Sequence, residues 1–469
     1  MRYTTAGLVL AAGTGSRFGG GKLLATVGGR PVLQHVLDAL GEAGVAEVVV
    51  VLGRDAQAIE PAIDWHGARR VVNPAPERGL ASSLAVGFEA IGPEADAVLV
   101  ALGDQPLVST EVIRSLLTAA GAGERPVVVP AYDHDHGRNP VLLRRPAFSL
   151  IAEATGDRGL GPVLAAHPEL IEEIPVAGAN PDIDVPADLV AAIEASWTTR
   201  ILANRAQVER IREVPDGPDF YAPVSSLFRA DPTRTDDPVV DALLRLVRSG
   251  EVWLDVGAGA GRFALPIARA LDPSGGSVVA LDPSRSMLEG LLEIAGDYAI
   301  ENVRTIEARW PLADARAVAD FEADVALIAN VGYDVESIGP FIEELEAAAR
   351  RLCVAVLMER VPAAAANPFW PPVHGEERTP LPALPDLLEL LEARGRRVSV
   401  ERITNEPRRF ETRDAIEGFV RRQLWIDPAG PREARFQAAL DDFAVPDGDG
   451  WTIQGRSAVD IGIATWSPR

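Results

Sequence analysis

Residues 6–22 read Ala6-Gly7-Leu8-Val9-Leu10-Ala11-Ala12-Gly13-Thr14-Gly15-Ser16-Arg17-Phe18-Gly19-Gly20-Gly21-Lys22. The run up to Ala12 is an unbroken apolar segment, the pattern of a parallel strand buried on both faces. It then breaks into glycines. Glycines let backbone N–H groups approach a phosphate, and Arg17 and Lys22 bring the charge that neutralises it. In parallel sheets ligands lie beyond the carboxyl ends of strands, and this loop falls at such an end. The spacing is not that of a P-loop, because Leu23 rather than Ser or Thr follows Lys22.

Outward from this stretch the chain keeps one grammar. A helix is predicted over 31–43, with Pro31 suited to its first turn. Strands follow at 45–53 and 69–74, a helix at 79–91, and strands at 95–106 and 127–132. Strand–helix alternation predicts an α/β domain with a parallel sheet. The fourth strand runs into Gly103-Asp104-Gln105-Pro106. A carboxylate just after a buried strand is costly unless it is paired or metal-bound, and magnesium on substrate phosphates uses one or two such carboxylates. The segment 180–188 reads as a turn and a cap, and a helix over 188–197 closes the domain. A charged amphipathic helix (198–214) and a Pro/Gly/Asp-rich stretch (215–238) lead to a helix at 239–249. Then Trp253-Leu254-Asp255-Val256-Gly257-Ala258-Gly259-Ala260-Gly261 restarts the strand–loop–helix pattern. Later strands are predicted at 277–282, 302–308, 323–331, 353–360, 398–404 and 457–466. The division expected is a first domain over 1–196, a helical and loop connection over 197–235 belonging to the second domain, and the second domain proper over 236–469.

Composition fits two or three soluble domains at about 150 residues each. The 469 residues are 47% hydrophobic and carry a formal charge of −23. Residues 1–196 hold 14 basic and 24 acidic side chains, and the remainder 31 and 44. Neither half is a platform for nucleic acid or anionic membrane. No stretch of about 18 apolar residues suggests a membrane span, and the N-terminus reads as a strand, not a signal peptide. The single cysteine, Cys353, excludes an intramolecular disulfide and suits a reducing cytosol. Of 45 basic residues only Lys22 is lysine. At random it would land on this position about one time in 45, so it reads as a demand for a compact cation where a planar fork does not serve.

The pattern L-A-A-G-x-G-x-R-x-G-x-x-K resembles nucleotidyltransferases of GT-A-like fold, and within them the molybdenum-cofactor cytidylyltransferases. The likeness covers about residues 5–195 and includes Gly79-Leu80-Ala81-Ser82-Ser83, Leu102-Gly103-Asp104-Gln105-Pro106, Arg138-Asn139-Pro140-Val141, Gly156-Asp157-Arg158-Gly159 and Asp182-Ile183-Asp184-Val185-Pro186. It implies Mg²⁺-dependent transfer from CTP to a phosphorylated acceptor of molybdopterin type, with release of pyrophosphate. Leu10, Ala11, Ala12, Gly13, Gly15, Ser82 and Ser83 would hold the nucleotide, and Arg17 and Lys22 its triphosphate. Asp104 would bind the metal with Asp182 or Asp184, although Asp182-Ile183-Asp184 also reads as a cap for the closing helix. Ala12 favours cytidylyl over guanylyl transfer, since the guanylyl branch usually carries a second glycine there. Asn139 departs from the histidine common in the branch, which leaves a sugar phosphate or another phosphorylated alcohol open as acceptor. A molybdoenzyme or its maturation factors are the partners implied. The loop Asp133-His134-Asp135-His136 reads as solvated, with metal binding or acceptor contact as its alternatives.

The D-x-G-x-G-x-G form at 255–261 is similar to motif one of class I S-adenosylmethionine-dependent methyltransferases. A dinucleotide fingerprint would want glycine where Arg262 stands. The likeness spans about 235–469 and implies a seven-stranded sheet with a late antiparallel hairpin at 398–466. It implies S-adenosylmethionine held by Asp255, Gly257, Gly259, Gly261, Asp282, Glu307, Ala308 and Asn330, with Asp282 on the ribose hydroxyls. Tyr221, Tyr333 and His374 are the candidate bases, and Phe369 and Trp370 candidate walls for a small-molecule acceptor. A nucleotide-binding domain of another kind, or a non-catalytic S-adenosylmethionine module, remains the competing reading. The fold expected is thus two Rossmann-like α/β domains in one bifunctional chain.

Overall fold

A computed structural model describes residues 4–13, 15–134, 137–215, 229, 231–312 and 323–468. The chain divides into two compact units, Met1–Ser196 and Trp197–Arg469. Among the described residues no helix is long and apolar enough to cross a membrane.

The first unit is built on β1 (Thr5–Ala11), a small hairpin of β2 (Thr26–Val27) and β3 (Arg30–Pro31), β4 (Glu47–Leu52), β5 (Arg69–Val72), β6 (Ala97–Leu102), β7 (Val127–Tyr132), β8 (Val141–Arg144) and β9 (Ile171–Val176). Seven strands form one sheet in the order β5-β4-β1-β6-β8-β7-β9. β5, β4, β1 and β6 are parallel, and β8 lies antiparallel between β6 and β7. The apolar run at β1 is continuous because both faces are covered. Leu8 and Leu10 pack with Leu84 of the helix Leu80–Ala90. Val9 and Ala11 pack with Leu33 and Val36 of the helix Val32–Glu42 and with Ile113 of the helix Thr110–Ala122.

The second unit carries β10 (Val252–Val256), β11 (Ser277–Asp282), β12 (Val303–Glu307), β13 (Ala323–Ala329), β14 (Ala349–Met358), β15 (Ser399–Asn405), a hairpin of β16 (Ala444–Asp447) and β17 (Gly450–Ile453), and β18 (Val459–Trp466). Its seven-stranded sheet runs β12-β11-β10-β13-β14-β18-β15. The first five strands in this order are parallel, and β18 is antiparallel to both β14 and β15. Both units are therefore mixed α/β with mostly parallel sheets. A separate core gathers Phe369, Trp370, Phe410, Val420, Leu424 and Phe436, mainly from the helices Arg413–Leu424 and Glu433–Phe443 and the segment before them.

The structure corrects the sequence reading in three places. β8 and β9 are additional: β8 has only four residues, and β9 interleaves Glu172 and Glu173 with its apolar positions. The helices predicted at 188–197 and 198–214 are one helix, Pro186–Ile211, because no glycine or proline interrupts it after Pro186. The helices Leu384–Ala393, Arg413–Leu424 and Glu433–Phe443 and the β16–β17 hairpin were not foreseen.

Candidate active site

β1 and β6 are parallel neighbours, so their carboxyl ends emerge together. The Gly103 N–H donates to the Leu10 carbonyl at 2.9 Å, which sets Asp104 beside the glycine-rich loop. That loop is wound tightly on one acceptor: the N–H groups of Phe18, Gly19 and Gly20 all donate to the Gly15 carbonyl at 3.0–3.1 Å. The Lys22 ammonium pairs with Asp104 and lies 3.5 Å from an Asp184 oxygen, with its side chain only 9% exposed. Arg17 reaches the other Asp184 oxygen at 2.9 Å from a largely solvated position. The Ile183 N–H donates to the Asp104 carbonyl at 3.0 Å, which ties the 180–184 segment to the end of β6.

Asp182 and Asp184 have different surroundings. Asp182 accepts from Gln105 Nε2 at 2.5 Å. Burial, and next the charge of Asp104, push its carboxyl above the usual carboxylate range. Two carboxylates at one cleft, one of them raised by burial and by the charge of the other, form a site that a divalent cation stabilises. Asp184 is instead neutralised by Arg17 and Lys22. Neither carboxylate caps the closing helix. That work falls to Asp188, whose Oδ2 accepts from the Asp184 and Val185 N–H groups at 2.8 Å. Among the described residues no group of three or more His, Cys, Asp or Glu side chains is arranged to hold a metal alone. Asp104 and Asp182 fit a Mg²⁺ whose remaining ligands come from phosphate and water, the ordinary arrangement for this ion.

These side chains line a cleft of about 500 Å³ that also includes Leu10, Ala11, Ala12, Gly13, Gly15 and Ser83. Ser82 stands apart from the cleft lining. Its hydroxyl donates to the Gly79 carbonyl at 2.8 Å and accepts from Asn73 Nδ2 at 2.9 Å, while the same Asn73 holds Ser83 at 2.9 Å. Asn73, Gln105, Glu77 and Asp157 were given no role from the sequence, although Gln105 and Asp157 stand in the motifs quoted above. The first two were findable as polar residues just past the carboxyl ends of β5 and β6. A smaller cavity of about 190 Å³ shares Leu10, Leu80 and Leu102 with the cleft and adds Arg138, Asn139 and Arg158 to an otherwise apolar lining. In the 133–136 loop, Asp133 accepts from the Gly178 N–H at 2.7 Å; Asp135 and His136, like Thr14 and Tyr221, lie outside the described residues.

In the second unit the loop after β10 folds back on β11. The Gly257 and Ala258 N–H groups donate to the Leu281 carbonyl at 2.7 and 3.1 Å. Gly257, Gly259 and Gly261 all have positive φ, at 75°, 53° and 81°. A Cβ at Gly257 would fall 2.3 Å from Val331 Cγ2, whereas a Cβ at Gly259 would meet nothing within 4 Å. Asp282 accepts from the Gly259 N–H and the Ser284 N–H, each at 2.8 Å, so its carboxylate organises the loop. Glu307 ends β12, and the Ala308 N–H donates to the Asp282 carbonyl at 3.2 Å. Asn330 follows β13 with φ 55°, and its N–H donates to the Val356 carbonyl at 2.8 Å. Asp255 is fully buried within β10, and burial together with the Asp282 charge raises its carboxyl to about 7.

The expected bases and walls of this unit are displaced. The Tyr333 hydroxyl accepts from the Met358 N–H at 2.8 Å, and burial pushes the phenol far above its ordinary value; a group so poised is a poor proton acceptor. His374 packs on Trp370 with ring centroids 4.7 Å apart, and burial lowers it to about 4. Phe369 and Trp370 are wholly buried in the separate core. They hold that core together instead of lining a pocket open to an acceptor.

The parallel sheet and the cleft of glycines, ammonium and carboxylates at its carboxyl edge define the first unit as a nucleotidyltransferase-type domain. The profile described as MobA-like NTP transferase domain matches residues 7–170. The chain is 33% identical over 162 residues to phosphoenolpyruvate guanylyltransferase of Sphaerobacter thermophilus, across 34% of this chain and 75% of that protein. It is 34% identical over 161 residues to nicotine blue oxidoreductase of Paenarthrobacter nicotinovorans, across 34% and 74%. Against the bifunctional protein GlmU of Sinorhizobium medicae it is 33% identical over 132 residues and spans only 29% of that protein's length. Through this segment the chain belongs to the MobA-like NTP transferase family.

Proposed function

We propose that the first unit transfers a cytidylyl group from CTP to a phosphorylated acceptor of molybdopterin type. The observation that carries this reading is the meeting of Lys22, Asp104, Asp182 and Asp184 at one cleft beside the glycine loop. An acceptor phosphate oxygen attacks the α-phosphorus, the bond from that phosphorus to the bridging oxygen breaks, and pyrophosphate leaves with the electron pair. Lys22 and Arg17 exchange their carboxylate partners for triphosphate oxygens and offset the charge that develops on the leaving group. Asp104 and Asp182 would hold Mg²⁺, which supplies charge neutralisation on the phosphates. The backbone of Leu10–Gly13 and Gly15 positions the nucleotide, and alignment of the two reactants supplies much of the rate.

A second reading has its own support. The likeness to a phosphoenolpyruvate guanylyltransferase, with Arg138 and Arg158 on a cavity of only about 190 Å³, favours GTP and a small phosphorylated acid. A matrix of four nucleoside triphosphates against a pterin phosphate, a sugar phosphate and phosphoenolpyruvate, read by pyrophosphate release, decides between them. Turnover confined to CTP with the pterin supports the first reading, and turnover with GTP and phosphoenolpyruvate replaces it.

For the second unit we propose S-adenosylmethionine binding and methyl transfer to a small molecule. S-adenosylmethionine, held by the Gly257–Gly261 loop and Asp282, would supply the methyl group to an acceptor lone pair and depart as the thioether. The positive-φ glycines at 257, 259 and 261, the open space at Gly259 and the late antiparallel pair β15–β18 support this reading. The same features suit a module that binds the cofactor without turnover. A molybdoenzyme or its maturation factors as partner, and a cytosolic location, belong to the same proposal.

A further inference from the structure

The carboxyl edge of the second sheet carries a group of arginines that the cofactor reading does not use. Met358 at the end of β14 pairs with Ile461, and Asn405 at the end of β15 pairs with Val459. The carboxyl ends of β14 and β15 and the amino end of β18 therefore meet at one edge. The parallel strands β10 to β14 put the Gly257–Gly261 loop, Asp282 and Asn330 on that same edge. Arg360 stands two residues past β14, Arg408 three past β15, and Arg456 three before β18.

Arg360 Nη2 donates to Ser457 Oγ at 3.2 Å, which holds it beside Arg456. Arg408 lies over the rings of Phe410 and Phe419, 5.0 and 5.9 Å from their centroids. Phe419 sits one turn before Arg422 on the helix Arg413–Leu424. Among the described residues none of these four arginines has a carboxylate partner, and Arg456 Nη1 is shut from solvent with no hydrogen-bond partner. Burial, and then the charges of Arg408 and Arg360, lower the Arg456 pKa; burial and Arg408 lower that of Arg422. Their neighbours behave differently: Arg402 pairs with Glu359 at 3.4 Å and Arg409 with Asp447 at 3.1 Å. In a unit with more acidic than basic side chains, partners for these four were plentiful. A like-charged group left unpaired is unfavourable until an anion joins it, and guanidinium forks are shaped for phosphate or carboxylate oxygens.

We infer that Arg360, Arg408 and Arg456 form an anion site at this edge, which grips a phosphate or carboxylate of the molecule that the second unit acts on. That this molecule is methylated rests on the methyltransferase reading; the anion site itself does not. Arg422, one turn beyond Phe419, reinforces the field. The acceptor is thus an anionic small molecule whose charged group lies at β14, β15 and β18, with its reacting atom toward Asn330 and the glycine loop.

Hydrogen exchange of the full chain, resolved by peptide, tests this with inorganic phosphate in one arm and succinate in another. S-adenosylmethionine is added alone in a third. Saturable protection of peptides covering 359–362, 406–412 and 455–459 is expected with at least one anion. Phosphate alone, succinate alone, or both name the source of the charge, and each supports the site. Arg456→Gln and Arg360→Gln should weaken that protection at least tenfold in anion concentration, with Arg456→Lys losing less. No protection with either anion at tens of millimolar, or protection indifferent to all three variants, overturns the site. Protection of 255–262 and 282–284 by S-adenosylmethionine is read separately. If it is absent while anion protection persists, the methyltransferase reading fails and the anion site stands.

Discussion

Lys22 is the sole lysine among 45 basic residues, and its surroundings explain why arginine does not serve there. Its stem passes so close to the loop that a Cβ at Gly15 would lie 3.2 Å from Lys22 Cγ. Its ammonium is enclosed between Asp104 and Asp184. A wide planar fork is a poorer match than a compact ammonium for a cation held between two carboxylates. Lys22→Ala should cost roughly 10²-fold or more in nucleotidyl transfer, the scale of one electrostatic stabiliser, and Lys22→Arg should recover little of it. Near-normal turnover by the arginine variant would remove the argument from shape. Asp182 offers a second test, through pH. Its folded pKa is raised, chiefly by burial and by Asp104. Without metal its ionisation therefore opposes folding, and stability from this group falls as pH rises through the window above the usual carboxylate range. A divalent cation reverses the sign, because it binds the ionised pair. The rise in melting temperature on adding Mg²⁺ should grow with pH across that window, flatten in Asp182→Asn and persist in Asp184→Asn. A pH-independent response in the wild type, or loss only in Asp184→Asn, would move the metal to the other carboxylate.

At the scale of elements, what was legible followed burial. β11 was predicted at 277–282 and runs Ser277–Asp282, because a strand covered on both faces writes itself as a continuous apolar run. β8 and β9 lack that signature; one is short and wedged antiparallel, the other mixes glutamates into its pattern. The glycine loop after β10 was legible because each glycine has positive φ. The buried position of Trp370 was not, since its core assembles from segments far apart in sequence. The loop itself separates two roles that sequence alone merges. Gly257→Ala puts a methyl 2.3 Å from Val331 Cγ2 and should lower the melting temperature of this unit outright. Gly259→Ala meets no protein atom, so it should cost only about 1–2 kcal/mol of backbone strain. Its methyl points where the cofactor is proposed to lie, and S-adenosylmethionine affinity should fall more than tenfold in calorimetry. Unchanged affinity in a folded Gly259→Ala protein would take the cofactor away from this loop.

At the scale of the whole molecule, each unit has cores of its own. The clusters around β1 draw only on residues before 197, and those around β10 and Phe369 only on residues after it. Within the continuous helix Pro186–Ile211, Trp197 Nε1 donates to the Val335 carbonyl at 2.8 Å, Thr198 to the Glu336 carbonyl at 2.9 Å, and Gln207 to the Glu377 carbonyl at 2.7 Å. The part of that helix after Ser196 is thus held by the second unit. Among the described residues these clusters share no member, which predicts two cooperative transitions, each answering to its own ligand. A ligand at 100 times its Kd adds about 2.7 kcal/mol, and for domains of this size each kcal/mol moves Tm by about 2–4 °C. Scanning calorimetry of the full chain should show CTP with Mg²⁺ raising one transition by roughly 5–10 °C on that scaling. S-adenosylmethionine should raise the other by a similar amount, with neither ligand shifting both. The fragment 197–469 should reproduce the second transition alone. A single transition that moves with either ligand would mean that the two halves unfold as one body, and that a ligand on either stabilises both.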